Sequence, residues 1–294
     1  MSLGVVQGSV WLAHLRLARI SNLPTILTNV LAAAIMAGAG AVHNRGDVAL
    51  PLVLVAVAMG LFYTAGMYLN DFFDYPIDCR ERPERPLPSG VLLPRTVLVF
   101  ALGYFLVGLF LLALVRVEAL LCGLLLVGVI VVYDRWHKRN PLGHFVMALA
   151  RALVYITTFV AVSGTDTMRL GVAALLLFLY VAGLTYIARS ETRADFTRYW
   201  PIVLLVLPAA YFGFQAPWPY LPVAGLFLVW CGYSLQFVYR RANKDIGAGI
   251  VRLLAGIALF DAMVLAAHGV PGPVALCVGL FVLTRFLQHY IAGT

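Results

Sequence analysis

Charge is scarce in this sequence. Only 12% of its 294 residues are Asp, Glu, Lys or Arg, and the acids number 13. A water-soluble domain carries about a quarter charged residues. A chain that is 62% hydrophobic, with a mean hydropathy of +0.92, cannot cover its apolar surface in water. The four cysteines, Cys79, Cys122, Cys231 and Cys277, form no CxxC pair. That spread argues against a disulfide framework or a thiolate zinc site. No cleavable signal peptide is read; "HLRLARISNLP" near the N-terminus suits an amphipathic helix on the cytoplasmic face. The basic excess, a net charge of +8, lies in short loops. With no basic patch elsewhere it points to orientation in a membrane and away from nucleic acid.

What the chain has in quantity is apolar runs. They recur at about 18 residues or more, enough to cross roughly 30 Å of hydrocarbon as helices. Spans are expected near 22–42, 49–69, 95–115, 118–134, 144–163, 168–188, 201–215, 218–239, 249–267 and 272–291. The 201–215 stretch is short and proline-rich, so the count is ten, or nine without it. The fold expected is an all-α integral membrane bundle in a single domain over residues 1–294. Arg80, Arg82, Arg85, Arg95, Arg135, Lys138, Arg139, Arg189, Arg193, Arg198, Arg240, Arg241 and Lys244 fall in alternate loops, which are therefore cytoplasmic. Asp71, Asp74, Asp78, Glu81, Glu84, Asp134, Glu191, Asp195 and Asp245 crowd the same side, and the positive-inside rule does not ask for acids there.

The densest cluster is "NDFFDYPIDCRERPERPLPSG", Asn70 to Gly90. At about 100° per residue, Asp74 and Asp78 stand roughly 40° apart on a helix, and Asp71 and Asp78 roughly 20°. Three carboxylates on one stripe repel each other. A divalent cation turns that repulsion into binding, and Mg²⁺ takes carboxylate oxygens together with substrate phosphates. Asn70 adds a neutral oxygen. The alternative is a solvated helix end pairing with Arg80 and Arg82. A second cluster, Glu191 and Asp195 in "SETRAD", repeats the spacing at the end of the sixth span, with Arg189 and Arg193 able to pair within it. Two facing clusters could hold metals around a diphosphate. Pro83, Pro86 and Pro88 stiffen the loop after the first. Arg82 and Arg85 on that loop, with Lys138, Arg139 and Arg189, are candidate diphosphate contacts, since guanidinium forks fit phosphate oxygens.

These motifs resemble the UbiA superfamily of intramembrane prenyltransferases. The family's first motif, N-D-x-x-D-x-x-x-D followed by R-P-L-P-S-G, is matched by Asn70, Asp71, Asp74, Asp78 and Arg85 to Gly90. Its second motif, D-x-x-x-D, reads Glu191-x-x-x-Asp195, a departure. The family's tyrosine and lysine after the fourth span correspond to Tyr133 and Lys138, with one residue of extra spacing; His137 stands nearer. "YDRWHKRNPLGHFVMALARALVY", from Tyr133, resembles the EboC-like branch. The resemblance covers the chain in span order. It implies a helical bundle, usually of nine spans, with a central cavity open to the cytoplasmic side and to lipid. It implies Mg²⁺ held by Asn70, Asp71, Asp74, Asp78, Glu191 and Asp195, with Asp71, Asp74, Tyr133 and Lys138 as catalytic residues. The reaction implied is transfer of a prenyl group from a prenyl diphosphate to a lipophilic or aromatic acceptor, with membrane lipid as surroundings and no obligate protein partner.

Phe62, Tyr63, Tyr68, Phe72, Phe73 and Tyr155 are candidates to flank an allylic cation with ring faces. Ionisable groups at membrane depth are functional candidates too. Asp261 can face the cavity or serve as a structural partner; Arg252 sits near the cytoplasmic edge; Arg151 can contact the diphosphate or pair with a carboxylate. Two other readings use the same features: a transporter of an anionic amphiphile, and a degenerate member that binds prenyl lipid without transferring it. A phosphatidyltransferase lacks its D-G-x-x-A-R frame here.

Overall fold

The computed structural model describes residues 10–38, 45–136, 140–189, 198–240 and 244–291. All regular structure among them is helical. A short amphipathic helix, α1 (Val10–Leu17), buries Ala13 and Leu17 and exposes Trp11. The following helices are α2 (Leu23–Met36), α3 (Arg45–Glu81), α4 (Pro94–Val115), α5 (Val117–Trp136) and α6 (Gly143–Ala161). The chain continues through α7 (Thr167–Ala188), α8 (Trp200–Gln215), α9 (Leu221–Tyr239), α10 (Ile246–Ala267) and α11 (Pro271–Tyr290). Prolines open α2, α4, α8, α9 and α11, where a missing N–H costs nothing. Asp166 and Asp245 cap α7 and α10 by accepting from the backbone N–H groups of Arg169 and Ala248. Asp245 thus has a structural reason for its place in a loop.

Eight helical segments are long and apolar enough to cross a membrane, and Ile20–Met36 and Trp200–Gln215 are shorter apolar segments. All ten expected spans therefore appear as helices, but the first is cut short. It stops at Met36, where Gly38 turns the chain with φ +90°, so the expected run to residue 42 is not helical as far as the described residues reach. The second carries its helix past the apolar span to Glu81, through Pro76, so Asn70 to Asp78 lie on its end as their spacing requires.

α10 lies at the centre: 78% of its apolar window is buried, the highest share of the eight. It packs against α2, α7, α8, α9 and α11. A second core joins α1, α3, α4 and α5 to one side of α6. α2 and α6 contribute to both cores and separate them. The α3–α4 pair is close because Gly108 has no side chain; a Cβ there would stand 2.4 Å from the Phe62 ring.

Candidate active site

The acidic stripe of α3 is built as the helical period requires. Asn70, Asp71, Asp74 and Asp78 are all buried, between 4% and 8% exposed, although they lie at the polar end of a membrane helix. The proline-rich loop closes over them. Leu87 and Leu92 are buried and anchor it, and Gly90 takes φ +78°, a left-handed conformation that favours glycine. The anchored loop brings the Arg85 guanidinium to Asp78 Oδ2 at 2.7 Å. Arg82 stays exposed, and its backbone N–H donates to the Asp78 carbonyl.

Two residues join this stripe that sequence reasoning did not assign to it. Arg19, just before α2, places its guanidinium 3.6 Å from Asp71 Oδ1. Its backbone is left-handed, φ +43°, and its carbonyl accepts from the Tyr63 hydroxyl. A non-glycine residue held in that region is a mark of functional sites. The only sequence signal was an arginine abutting the first span. Asp134, at the end of α5, is 4% exposed and accepts from Asn70 Nδ2 at 3.4 Å. In the sequence it is one of the acids on the cytoplasmic side, next to the candidate Tyr133.

Below the stripe lies a cavity of about 250 Å³ between α2, α3, α5, α6, α7 and α10. Its walls are mainly apolar, with Met59, Phe62, Leu126, Val154, Leu184 and Ile257 among them. Arg19, Asn22, Tyr133 and Asp134 join its lining beside the acids, and Arg151 and Thr25 supply further polar groups. Of the six aromatic candidates only Phe62 and Tyr63 line it. Tyr68 is bonded to His14 at 2.7 Å, Phe72 packs on Phe73, and Tyr155 is sealed in the core.

Of the two readings of Asp261, the structure has the structural one. It does not line the cavity but is fully buried, accepting from Asn29 Nδ2 at 2.7 and 2.9 Å and from the Tyr155 hydroxyl. Arg252 donates to the Ala248 carbonyl and covers the Phe237 ring at 4.0 Å. Arg189 is exposed and donates to the Asn140 carbonyl at 2.7 Å, tying α7 to the start of α6. Lys138, Arg139, Glu191 and Asp195 lie outside the described residues.

Among the described residues, no three His, Cys, Asp or Glu side chains converge as a finished metal site. The donor set nevertheless fits a hard cation. Asp71 Oδ1 is buried and accepts no hydrogen bond, and other carboxylates of the stripe stand close enough to repel it. Buried carboxylate oxygens without donors need a cation.

A helical membrane bundle whose apolar cavity ends in buried carboxylates and flanking guanidiniums is the architecture of a protein that handles an amphiphile with an anionic head. Residues 11–250 match the UbiA prenyltransferase family, and the chain belongs to that family. It is a multi-pass membrane protein. One relative, a digeranylgeranylglyceryl phosphate synthase of Methanopyrus kandleri, is 40% identical over 96 residues, 33% of each chain. The matched stretch thus spans about a third of that relative's length. A solved structure described as giving insights into the biosynthesis of digeranylgeranylglyceryl phosphate synthase in membranes superposes with a TM-score of 0.63 at 19% identity. The superposition covers 89% of this chain and 99% of that one. A UbiA homologue from Archaeoglobus fulgidus bound to GPP and Mg²⁺ superposes with a TM-score of 0.60 at 17% identity, over 88% and 100% of the two chains. At such identities the likeness is one of fold.

Proposed function

We propose that the chain transfers a prenyl group from a prenyl diphosphate to a lipophilic or aromatic acceptor, with Mg²⁺, at the cytoplasmic side of the membrane. The observation that carries this reading is Asp71, a buried carboxylate with a donor-free oxygen, whose neighbour Arg19 lines the apolar cavity. A metal-bound structural neighbour of the same fold supports it.

Asn70, Asp71, Asp74 and Asp78 would hold the metal, with Glu191 and Asp195 from the second motif. Bound Mg²⁺ would supply positive charge to the departing diphosphate. Arg19 and Arg85, already beside the carboxylates, add charge-assisted donors; Arg82 on the Arg85 loop, Lys138 and Arg139 after α5 and Arg189 after α7 would be the further contacts. In the reaction the allylic C–O bond breaks and its electron pair leaves with the diphosphate. The acceptor's nucleophilic atom then bonds to the allylic carbon and loses a proton. Tyr133, Tyr63 and Phe62 line the cavity where an allylic cation would form, and ring faces favour it. The apolar walls exclude water that would quench it.

The test is equilibrium binding of C10, C15 and C20 prenyl diphosphates to the detergent-purified protein, with and without Mg²⁺, in wild type and Asp71→Asn. The likeness to the digeranylgeranylglyceryl phosphate synthase of Methanopyrus kandleri favours the C20 donor. Tight binding that requires both Mg²⁺ and Asp71 is expected. Binding that ignores both would remove the physical basis of the reading and favour a transporter.

A further inference from the structure

One side of α9 carries an aromatic stripe, Trp230, Tyr233 and Phe237, at helical spacing. Three guanidiniums lie over it. Arg285, from α11, stands 5.4 Å from the Trp230 ring. Arg252, from α10, stands 5.6 Å from the Tyr233 ring and 4.0 Å from that of Phe237. Arg240, just past α9, stands 4.7 Å from Phe237. Together they climb the last two turns of α9, about 10 Å. α9 and α11 both pack on α10, and Trp230 meets Phe281 edge to face at 4.7 Å, which closes the groove between them at its deep end. This groove is not the central cavity. Ile250 and Leu254 of α10 line the cavity, and Arg252, two residues from each, lies about 160° round the helix from both. The groove is at the acidic end of the bundle: Gln288, which accepts from Arg285 Nη1 at 2.5 Å, donates to Asn22 Oδ1, part of the cavity lining beside the acids.

No acid answers these charges. Among the described residues none of the three arginines makes an ion pair. The ionisable groups that act on Arg285 are Arg252 and the Tyr233 phenol. Asp245, the acid nearest in the chain, is turned onto the Ala248 N–H. Arg252 Nη1 donates to the Ala248 carbonyl, one turn back toward the helix start, and its buried Nε has no partner. Like charges gathered without an acid repel, and ring faces and the reach toward the interface offset only part of that cost.

We propose that this groove binds an anionic glycerophospholipid of the surrounding leaflet, its phosphate held by Arg240, Arg252 and Arg285. Guanidinium forks match phosphate oxygens, and basic pockets between membrane helices hold lipid headgroups in this way. The surroundings favour a lipid over a free anion. Val229 on α9 and Val282 and Phe286 on α11 are exposed and apolar, so acyl chains can lie along both rims. The bound lipid would join α9, α10 and α11. The site is independent of the prenyltransferase reading and of the central cavity.

The test titrates the detergent-purified full chain with dioleoyl phosphatidylglycerol or dioleoyl phosphatidylcholine, which differ in headgroup charge, and reads the first-lipid dissociation constant by native mass spectrometry. In wild type the anionic lipid should bind about 10- to 100-fold tighter, as expected for two or three arginines at the membrane surface. Arg252→Gln and Arg285→Gln should each lose about fivefold, and the double variant should bind the two lipids alike. Arg252→Lys should keep part of the preference, since it keeps the charge and loses the fork. Arg95→Gln, the same charge change at an exposed position on α4, should stay within about twofold of wild type. Phosphatidylglycerol should also raise the unfolding temperature of wild type and not of the double variant. Equal binding of the two lipids by wild type overturns the proposal without any variant. So does a preference that survives the double change, or one that Arg95→Gln lowers as much, which would make it a diffuse effect of net charge. Displacement of phosphatidylglycerol by excess inorganic phosphate at matched ionic strength assigns the arginines to a free anion, and a dimer that excludes lipid assigns the face to a second copy; either result also overturns it.

Discussion

Replacing Asp261 by alanine should destabilise the bundle far more than its single side chain suggests. The carboxylate is 0% exposed and joins three helices: α10, α2 through Asn29, and α6 through Tyr155. Removing it strands two contacts from Asn29 and one from Tyr155 in a space that water does not reach. At the average value for side-chain hydrogen bonds in membrane proteins, ~0.6 kcal/mol each, the loss is about 2 kcal/mol. At the value for bonds to a charged acceptor it is about 5 kcal/mol. The assay is SDS titration in dodecyl maltoside micelles followed by circular dichroism. Tyr155→Phe keeps the ring and removes one donor, so it should cost about 1 kcal/mol. The double variant Asn29→Ala/Asp261→Ala should cost less than the two single losses together, because the first removes donors that the second would strand. If Asp261→Ala unfolds at the wild-type midpoint, or the two losses simply add, the carboxylate does not organise the helices and the buried triad is incidental.

Two further outcomes test the site's walls and loop. Gly108→Ala puts a Cβ where the Phe62 ring now stands, 2.4 Å away, and Phe62 lines the cavity. Overpacking of this kind costs about 1–3 kcal/mol, and the displaced ring should weaken binding of C20 prenyl diphosphate more than C10; equal effects on both would place the tail elsewhere. Arg85→Gln releases Asp78 from its 2.7 Å partner. Calorimetry should show prenyl diphosphate affinity falling about tenfold while Mg²⁺ alone binds as well or better, since a competing cation is gone.

The acidic stripe was legible because helical geometry alone aligns residues three, four and seven apart. The structure extends α3 far enough to use that alignment. The Pro-rich loop was legible in kind but not in aim. Nothing local says that Leu87 and Leu92 pack into the core and thereby turn Arg85 onto Asp78. Arg19 and Asp134 escaped because their partners lie 52 and 64 positions away, at Asp71 and Asn70. Asp261 stayed open between two roles for the same reason. An acid at membrane depth advertises function, and only the pairing with Asn29, 232 residues distant, turns it into a structural tie. The short first helix was misread because residues 37 and 38 are small and apolar, like the span before them, while their backbone turns.

Five of the 13 acids of this acid-poor chain have a structural employment. Asp166 and Asp245 cap helices, Glu118 pairs with Arg116, Asp78 with Arg85, and Asp261 ties three helices. Asp71 is different: a buried oxygen lacks a donor, and the nearest cation stands off at 3.6 Å. A side chain kept against its own stability is kept for something that arrives later. The neutral variant Asp71→Asn removes the like-charge repulsion and adds an amide that can donate to neighbouring carboxylates. In metal-free detergent solution it should therefore raise the unfolding temperature, while wild type alone is stabilised further by Mg²⁺ with prenyl diphosphate, since a ligand that binds only the folded state raises its stability. A variant less stable than wild type without metal, and still stabilised by Mg²⁺, would mean that Asp71 is one more structural acid and that the cation site lies elsewhere.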